Sequence, residues 1–182
     1  MLELFEPIYN CVEHAQIVKL PSDKLVAAFD FAVKVMEEKR KEGHHQSDPS
    51  KTIKRFLTGM MGEIAVEEVL DWEFVDWGIG TSSQHDNPDL WYLGLEVGIK
   101  TVEWGTFPLV NNNFKDPQII CVRLSGDTVG VLGLATPEIQ KRYSSPELVL
   151  DERAKERKTA FYGFHRLEKL GTYEDLLERY KK

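Results

Sequence analysis

The segment LEVGIKT at residues 95–101 alternates apolar and polar positions, and this alternation restricts what the middle of the chain can fold into. Successive side chains of a β-strand point to opposite faces of the sheet, so the alternation predicts a strand with one buried face. The predicted core face carries Leu95, Val97 and Ile99, and the opposite face carries Glu96, Gly98 and Lys100. A glycine weakens a strand interior and often marks a close approach. We therefore expect another group to pass close to Gly98.

Two amphipathic helices are predicted before this strand. The first is capped by Ser22 and continues to about Arg40. The second runs over Lys51–Leu70, is capped by Ser50 and carries an apolar stripe. Gly59 and Gly62 interrupt the second helix. Because each glycine costs up to about 1 kcal/mol in a helix interior, we expect close packing to offset that cost at both positions.

The remaining predicted elements are mostly strands, followed by a helix at the end of the sequence. Strands are predicted at residues 15–20 (with an extended lead-in as the alternative there), Glu73–Trp77, Leu90–Tyr92, Leu95–Trp104, Gln118–Leu124 and Thr128–Ala135, with helices after Thr136 and over Thr172–Lys182. The third and fourth of these strands would form a hairpin around Gly94. Helices followed by a strand cluster and a last helix indicate a mixed α/β (α+β) fold.

Length and charge bound the class of protein. The chain has 182 residues, which fits one domain, and 42% hydrophobic residues exclude a disordered chain. It shows no membrane-spanning apolar run and no signal-peptide pattern, and its two lone cysteines favour a reducing, cytoplasmic setting. The net charge is −7, whereas a protein held to nucleic acid by charge alone would be basic. Any action on nucleic acid must therefore go through a local site, with a cation neutralising carboxylates.

The candidate site combines the strand with the helix before it. Asp89 precedes the strand by a hairpin's length, so it can return beside Lys100. In the segment Gly59-Met60-Met61-Gly62-Glu63, the carboxylate of Glu63 follows Gly59 by one helical turn. Glu96 and Lys100 alone would equally suit a half-exposed hairpin with a polar solvent face. Asp89 and Glu63 together favour a functional site over that alternative.

These motifs resemble the PD-(D/E)XK nuclease superfamily, which has the restriction-endonuclease-like fold. The resemblance covers roughly residues 51–142: the G-x-x-G-E segment with Glu63 is similar to the family's helix element, Pro88-Asp89 to the first half of its motif and Lys100 to its lysine. It implies a central mixed β-sheet flanked by helices. Residues 1–50 would then be a helical lead-in, 51–142 the core motif region and 143–182 a C-terminal extension. The sequence departs from the family at Gly98, where an acidic residue is expected two positions before the lysine.

The resemblance also implies a chemistry. Mg²⁺ or Mn²⁺ would be held by Asp89, by Glu63 or Glu96, and by the backbone carbonyl of Ile99. A bound cation lowers the pKa of water and polarises a phosphoryl oxygen, and Lys100 would stabilise the developing charge. The expected activity is hydrolysis of phosphodiester bonds, with DNA as the substrate, no nucleotide cofactor, and a protein partner or second copy as a further possible partner.

Several weaker candidates accompany this site. His85 could contact a phosphate, and so could basic residues on the second helix and near residue 141. A zinc site built from Cys11, His14, His44 and His45 is the less favoured interpretation, because the paired histidines fall in a polar loop.

Two alternatives to an enzyme remain open at this point. Gly98 favours a non-catalytic domain of the same fold that binds nucleic acid or a protein. The net charge of −7 permits an acidic inhibitor that mimics DNA, although the negative charges are interspersed with positive ones.

Overall fold

The computed structural model describes residues 6, 9–10, 12–41, 48–79 and 88–181. Its helices are α1 (Ser22–Lys41), α2 (Pro49–Leu70), α3 (Pro137–Arg142), α4 (Glu152–Lys155) and α5 (Tyr173–Tyr180). Its strands are β1 (Gln16–Lys19), β2 (Gly98–Glu103), β3 (Leu109–Asn111), β4 (Gln118–Ser125), β5 (Thr128–Ala135), β6 (Ser144–Ser145) and β7 (Lys158–Phe161). Helices of this part of the chain are too short or too polar to cross a membrane. The predicted mixed α/β class is confirmed.

The larger sheet has the strand order β1-β5-β4-β2 and is mixed. β2 runs parallel to β4, whereas β5 is antiparallel to both β4 and β1. β2 is therefore an edge strand, and one side of its backbone is left for other groups to bind. A smaller sheet of order β3-β7-β6 is antiparallel.

Both faces of the larger sheet are buried. On β4, Ile119 and Cys121 pack into a core with α2, while Ile120 and Val122 pack into a second core with the smaller sheet. This alternation follows from the two-residue period of a strand. The predicted core face of the 95–101 segment is confirmed, because Leu95, Val97 and Ile99 all belong to the core with α2.

The hairpin and one strand predicted from the sequence are wrong. Trp91–Leu93 is a short 3₁₀ turn that ends at Gly94, whose φ of 77° is left-handed, and β2 begins only at Gly98. Residues 73–77 belong to no strand, since the backbone N–H groups of Phe74 and Val75 donate to the Glu67 carboxylate instead. The Glu67 carboxylate on α2 thus binds the backbone N–H groups that would pair with a neighbouring strand in a sheet.

The second helix begins earlier than predicted and packs closely at only one of its two glycines. Asp48 is its N-cap and accepts a hydrogen bond from the Ser50 backbone N–H, with Pro49 in the first turn. A Cβ added at Gly62 would overlap the Thr101 side chain, because it would lie 2.7 Å from Thr101 Cβ and 2.9 Å from Thr101 Cγ2. Nothing lies within 4 Å of the same position at Gly59, so the expectation of close packing there is wrong. Gly62 lets α2 approach β2 directly.

Candidate functional site

Asp89 is held at the open edge of β2. The Gly98 backbone N–H faces β4 and donates to the Pro117 carbonyl at 2.9 Å. The next residue of a strand directs its N–H to the other side, and the Ile99 N–H accordingly donates to Asp89 Oδ2. This bond fixes the Asp89 carboxylate beside the strand and leaves its second oxygen for another partner.

Lys100 reaches the same edge. It is half-buried, and its Nζ donates to the Ile99 carbonyl oxygen at 3.2 Å. The N–H and C=O of one strand residue point to the same side, so Ile99 presents both its groups to this edge. The Lys100 ammonium and the Asp89 carboxylate thus both bind the backbone of Ile99.

Glu63 on α2 completes the group. Its burial and then the neighbouring charge of Asp89 raise the pKa of this carboxyl to about 8, and the charge of Lys100 opposes that rise. Glu63, Asp89 and Lys100 are therefore near enough for their charges to interact. Within the described residues Glu63 has no hydrogen bond or ion pair. It is a partly buried acid whose pKa is raised by another acid, and the Lys100 ammonium is the cation that opposes this rise.

A cavity of about 210 Å³ lies beside Glu63 and is also lined by Arg55 and Asp76. The charge of Asp76 contributes to the raised pKa of Glu63. Asp76 was not predicted as part of the site. It falls in the segment 73–77 that the sequence pattern assigned to a strand, so no local signal pointed to it.

Gly98 lies under the side chain of Gln118, its register partner on β4. An added Cβ at Gly98 would meet the Gln118 amide, with Nε2 at 2.9 Å, Cδ at 3.0 Å and Oε1 closer still. The expected close approach at Gly98 is therefore an amide from the neighbouring strand. Gln118 Oε1 is buried and has no hydrogen-bond partner. No sequence pattern pointed to Gln118, because its position over Gly98 depends on strand register.

Glu96 is not brought into this group by any contact of the described residues. Its backbone N–H donates to the Tyr180 carbonyl at 3.1 Å, so its segment lies against the end of α5. The charges that shift the pKa of Glu63 are those of Asp89, Lys100, Glu67 and Asp76.

The oxygen atoms at the edge of β2 are of the type that a hard divalent cation binds. Among the described residues there is no group of three or more His, Cys, Asp and Glu side chains that could hold a metal. A cation there would depend on the carboxylates of Glu63 and Asp89 and on the Ile99 carbonyl. Carboxylate and carbonyl oxygens are the ligands that Mg²⁺ and Mn²⁺ prefer. The donor set therefore fits these cations.

Comparison of the chain with protein-family models, with curated proteins and with solved structures finds no match in any of the three. The geometry of the site therefore carries the functional argument. The weaker candidates Cys11, His44, His45 and His85 lie outside the described residues.

Proposed function

We propose that the protein is a metal-dependent nuclease that hydrolyses phosphodiester bonds of DNA, with a restriction-endonuclease-like core. One observation carries the proposal: Asp89 and Lys100 meet at the Ile99 backbone on the open edge of β2, and the charges of both act on Glu63 of α2. The motif order that resembles the PD-(D/E)XK superfamily, from the helix Glu to the Asp and then the Lys, supports the same interpretation.

Glu63, Asp89 and the Ile99 carbonyl would hold Mg²⁺ or Mn²⁺, and a cation bound there supplies an activated water and charge stabilisation at a phosphoryl oxygen. The Ile99 N–H orients Asp89 before any ligand arrives. Lys100 lies at the same edge, where its ammonium can stabilise charge that develops on the phosphate. The high pKa of Glu63 means that this acid loses its proton only near pH 8 in the free protein.

The cations around the site support an anionic substrate. Lys158 on β7 has a lowered pKa, caused by burial and then by the charges of Lys100 and Arg55. Within the described residues none of these three cations forms a salt bridge, although ten other pairs of that part of the chain do. Clustered cations repel one another, and a phosphate among them would relieve that repulsion. A local basic cluster reconciles nucleic-acid binding with the net charge of −7.

The test is a cleavage assay on double-stranded DNA, single-stranded DNA and RNA with Mg²⁺ or Mn²⁺, at a pH above 8 so that Glu63 is ionised. Asp89→Asn and Lys100→Ala should each lower the rate by about 10²–10³-fold, since each removes one preorganised electrostatic contact. Glu96→Gln, on the same segment but against α5, should keep the activity and serves as the control. No cleavage of any substrate by the unmodified protein would contradict the proposal.

A second candidate is a non-catalytic domain of the same fold that binds nucleic acid. Gly98 favours it, because the position that carries an acid in the family carries no side chain here and an amide covers it. This candidate predicts binding of DNA that depends on Arg55 and Lys158, with no cleavage under any metal condition.

A further inference from the structure

The arrangement of Gln118 over Gly98 is costly unless something binds to it. Gln118 Oε1 is buried and accepts no hydrogen bond within the described part of the chain. A buried polar atom without a partner is costly, because burial removes its hydrogen bonds to water and nothing replaces them. Leaving an oxygen in this state calls for an explanation from the site around it.

The orientation of the amide is determined by its other end. Gln118 Nε2 donates to the Asp116 carbonyl at 3.1 Å. An oxygen in that place would face another oxygen, so the NH₂ must point to Asp116 and the carbonyl must point over Gly98. The free acceptor is therefore the group that covers the glycine.

The amide oxygen lies in the space that an acidic side chain at position 98 would use. A carboxylate oxygen of an aspartate lies about 2.4 Å from its own Cβ, since a C–C bond and a C–O bond meet at a trigonal carbon. Of the Gln118 atoms, Oε1 is the nearest to the Cβ position of Gly98, nearer than Nε2 at 2.9 Å. Position 98 also shares a strand face with Lys100. The oxygen thus occupies space that a side chain at position 98 would need.

We infer that Gln118 supplies, through its amide oxygen, the third side-chain oxygen of the cation site formed with Glu63 and Asp89, in place of the acid absent at position 98. This inference rests on the proposed function. It also gives Gly98 a role, because the glycine leaves the space into which a side chain from β4 reaches across to β2.

A neutral amide in place of a carboxylate changes the properties of the site. The cation is met by two negative charges rather than three, so its affinity should be lower than that of a three-acid site. Replacing the amide by a carboxylate of the same shape should raise the affinity, whereas removing the oxygen should lower it.

The experiment is titration calorimetry with Mn²⁺ alone, on the full chain at a pH above 8. Gln118→Leu should weaken Mn²⁺ binding by about tenfold or more, and Gln118→Glu should strengthen it. The matched control is Gln140→Leu. Gln140 donates to the same Asp116 carbonyl at 2.9 Å, yet its other contact is Ala135 and not Gly98. It should leave the Mn²⁺ affinity unchanged, and thermal melting verifies that each variant is folded.

A reciprocal exchange tests the same inference without relying on one variant. Gly98→Asp alone should crowd the Gln118 amide. In the double variant Gly98→Asp with Gln118→Ala, the acid has the space to itself and should bind Mn²⁺ at least as well as the unmodified protein. The coupling between the two positions is the amount by which the effect of the double variant on the binding free energy differs from the sum of the effects of Gly98→Asp and Gln118→Ala measured alone.

The outcomes distinguish a failure of the inference about Gln118 from a failure of the proposed function. If the unmodified protein binds Mn²⁺ and Gln118→Leu binds it equally well, Gln118 is only a packing residue and the inference is overturned while the proposed function stands. If the unmodified protein binds no Mn²⁺, both fail. Weakened binding in Gln118→Leu together with rescue in the double variant supports the inference.

Discussion

Glu63 and Glu67 lie one turn apart on α2, yet the two carboxyl groups differ in whether other groups bind them. Glu67 is 6% exposed, and its carboxylate accepts hydrogen bonds from the Phe74 and Val75 backbone N–H groups, each at 2.7 Å. It also pairs with Lys24 at 3.2 Å. Glu63 has no such partner within the described residues, and Asp89 and burial raise its pKa to about 8.

From this difference we assign Glu67 a structural role and propose a functional role for Glu63. Every contact of Glu67 joins it to α1 or to the segment after α2, so its charge holds parts of the fold together. Glu63 is held by the same helix but is left uncompensated beside a second carboxylate. Uncompensated acids in one cleft are typical of functional sites, where a ligand supplies the missing charge.

Removing the structural acid should unfold the protein more readily. Glu67→Ala leaves the Lys24 ammonium and two backbone N–H groups without their buried partner, so we expect a loss of about 3–5 kcal/mol in the free energy of unfolding. Urea denaturation measures it. Glu68→Ala is the matched control, because Glu68 pairs with the same Lys24 at 2.8 Å but is exposed; it should cost less than about 1 kcal/mol. Equal losses in the two variants would show that Glu67 has no special structural role.

Substitution of Gly62, the residue before Glu63, should destabilise the protein more than substitution of Gly59, one turn earlier. Gly62→Ala places a methyl group against Thr101 and should destabilise the protein by about 1–3 kcal/mol, since α2 must move away from β2. Gly59→Ala has open space and should be neutral or stabilising by up to about 1 kcal/mol, because alanine favours a helix. Thermal melting of the two variants compares them. A loss of stability in Gly59→Ala as large as that in Gly62→Ala would contradict the packing described for α2.

What the sequence predicted well depended on local patterns. Caps and alternation are signals within a few residues, and they gave the pair β4–β5, the buried face of residues 95–101 and the cap of α5 at Thr172. The smaller sheet was missed because strands of two to four residues carry no readable alternation.

The candidate site was predicted in part for the same reason. Glu63, Asp89 and Lys100 resemble a motif with a fixed order, so the resemblance could point to them. The positions of Asp76 near Glu63 and of Gln118 over Gly98 depend on the tertiary arrangement. Asp76 lies in an irregular segment, and Gln118 meets Gly98 through a parallel register between strands about 20 residues apart in sequence. A register of this kind has no signature in either strand alone.

Neutralising Glu63 should remove a pH-dependent loss of stability. The folded state binds the Glu63 proton more tightly than the unfolded state, so the metal-free protein should lose stability as the pH rises from about 4.5 to about 8. Glu63→Gln carries no proton to lose. Its free energy of unfolding should match that of the unmodified protein near pH 4.5. Above pH 8 it should be higher by about 1 kcal/mol or more, a difference that a pKa shift of less than one unit already produces. Urea denaturation across this pH range checks it, and parallel pH profiles of the two proteins would show that Glu63 is not perturbed.

The most direct test of the functional assignment is a ¹³C NMR titration of the Glu63 carboxyl, with its resonance assigned through Glu63→Gln. In metal-free buffer the account predicts a pKa of about 8. Added Mg²⁺ should lower that pKa, because a cation at the site favours the ionised acid, and Asp89→Asn should weaken this response to Mg²⁺. A Glu63 pKa near the ordinary glutamate value of about 4.3, or one that Mg²⁺ does not move, would contradict the account.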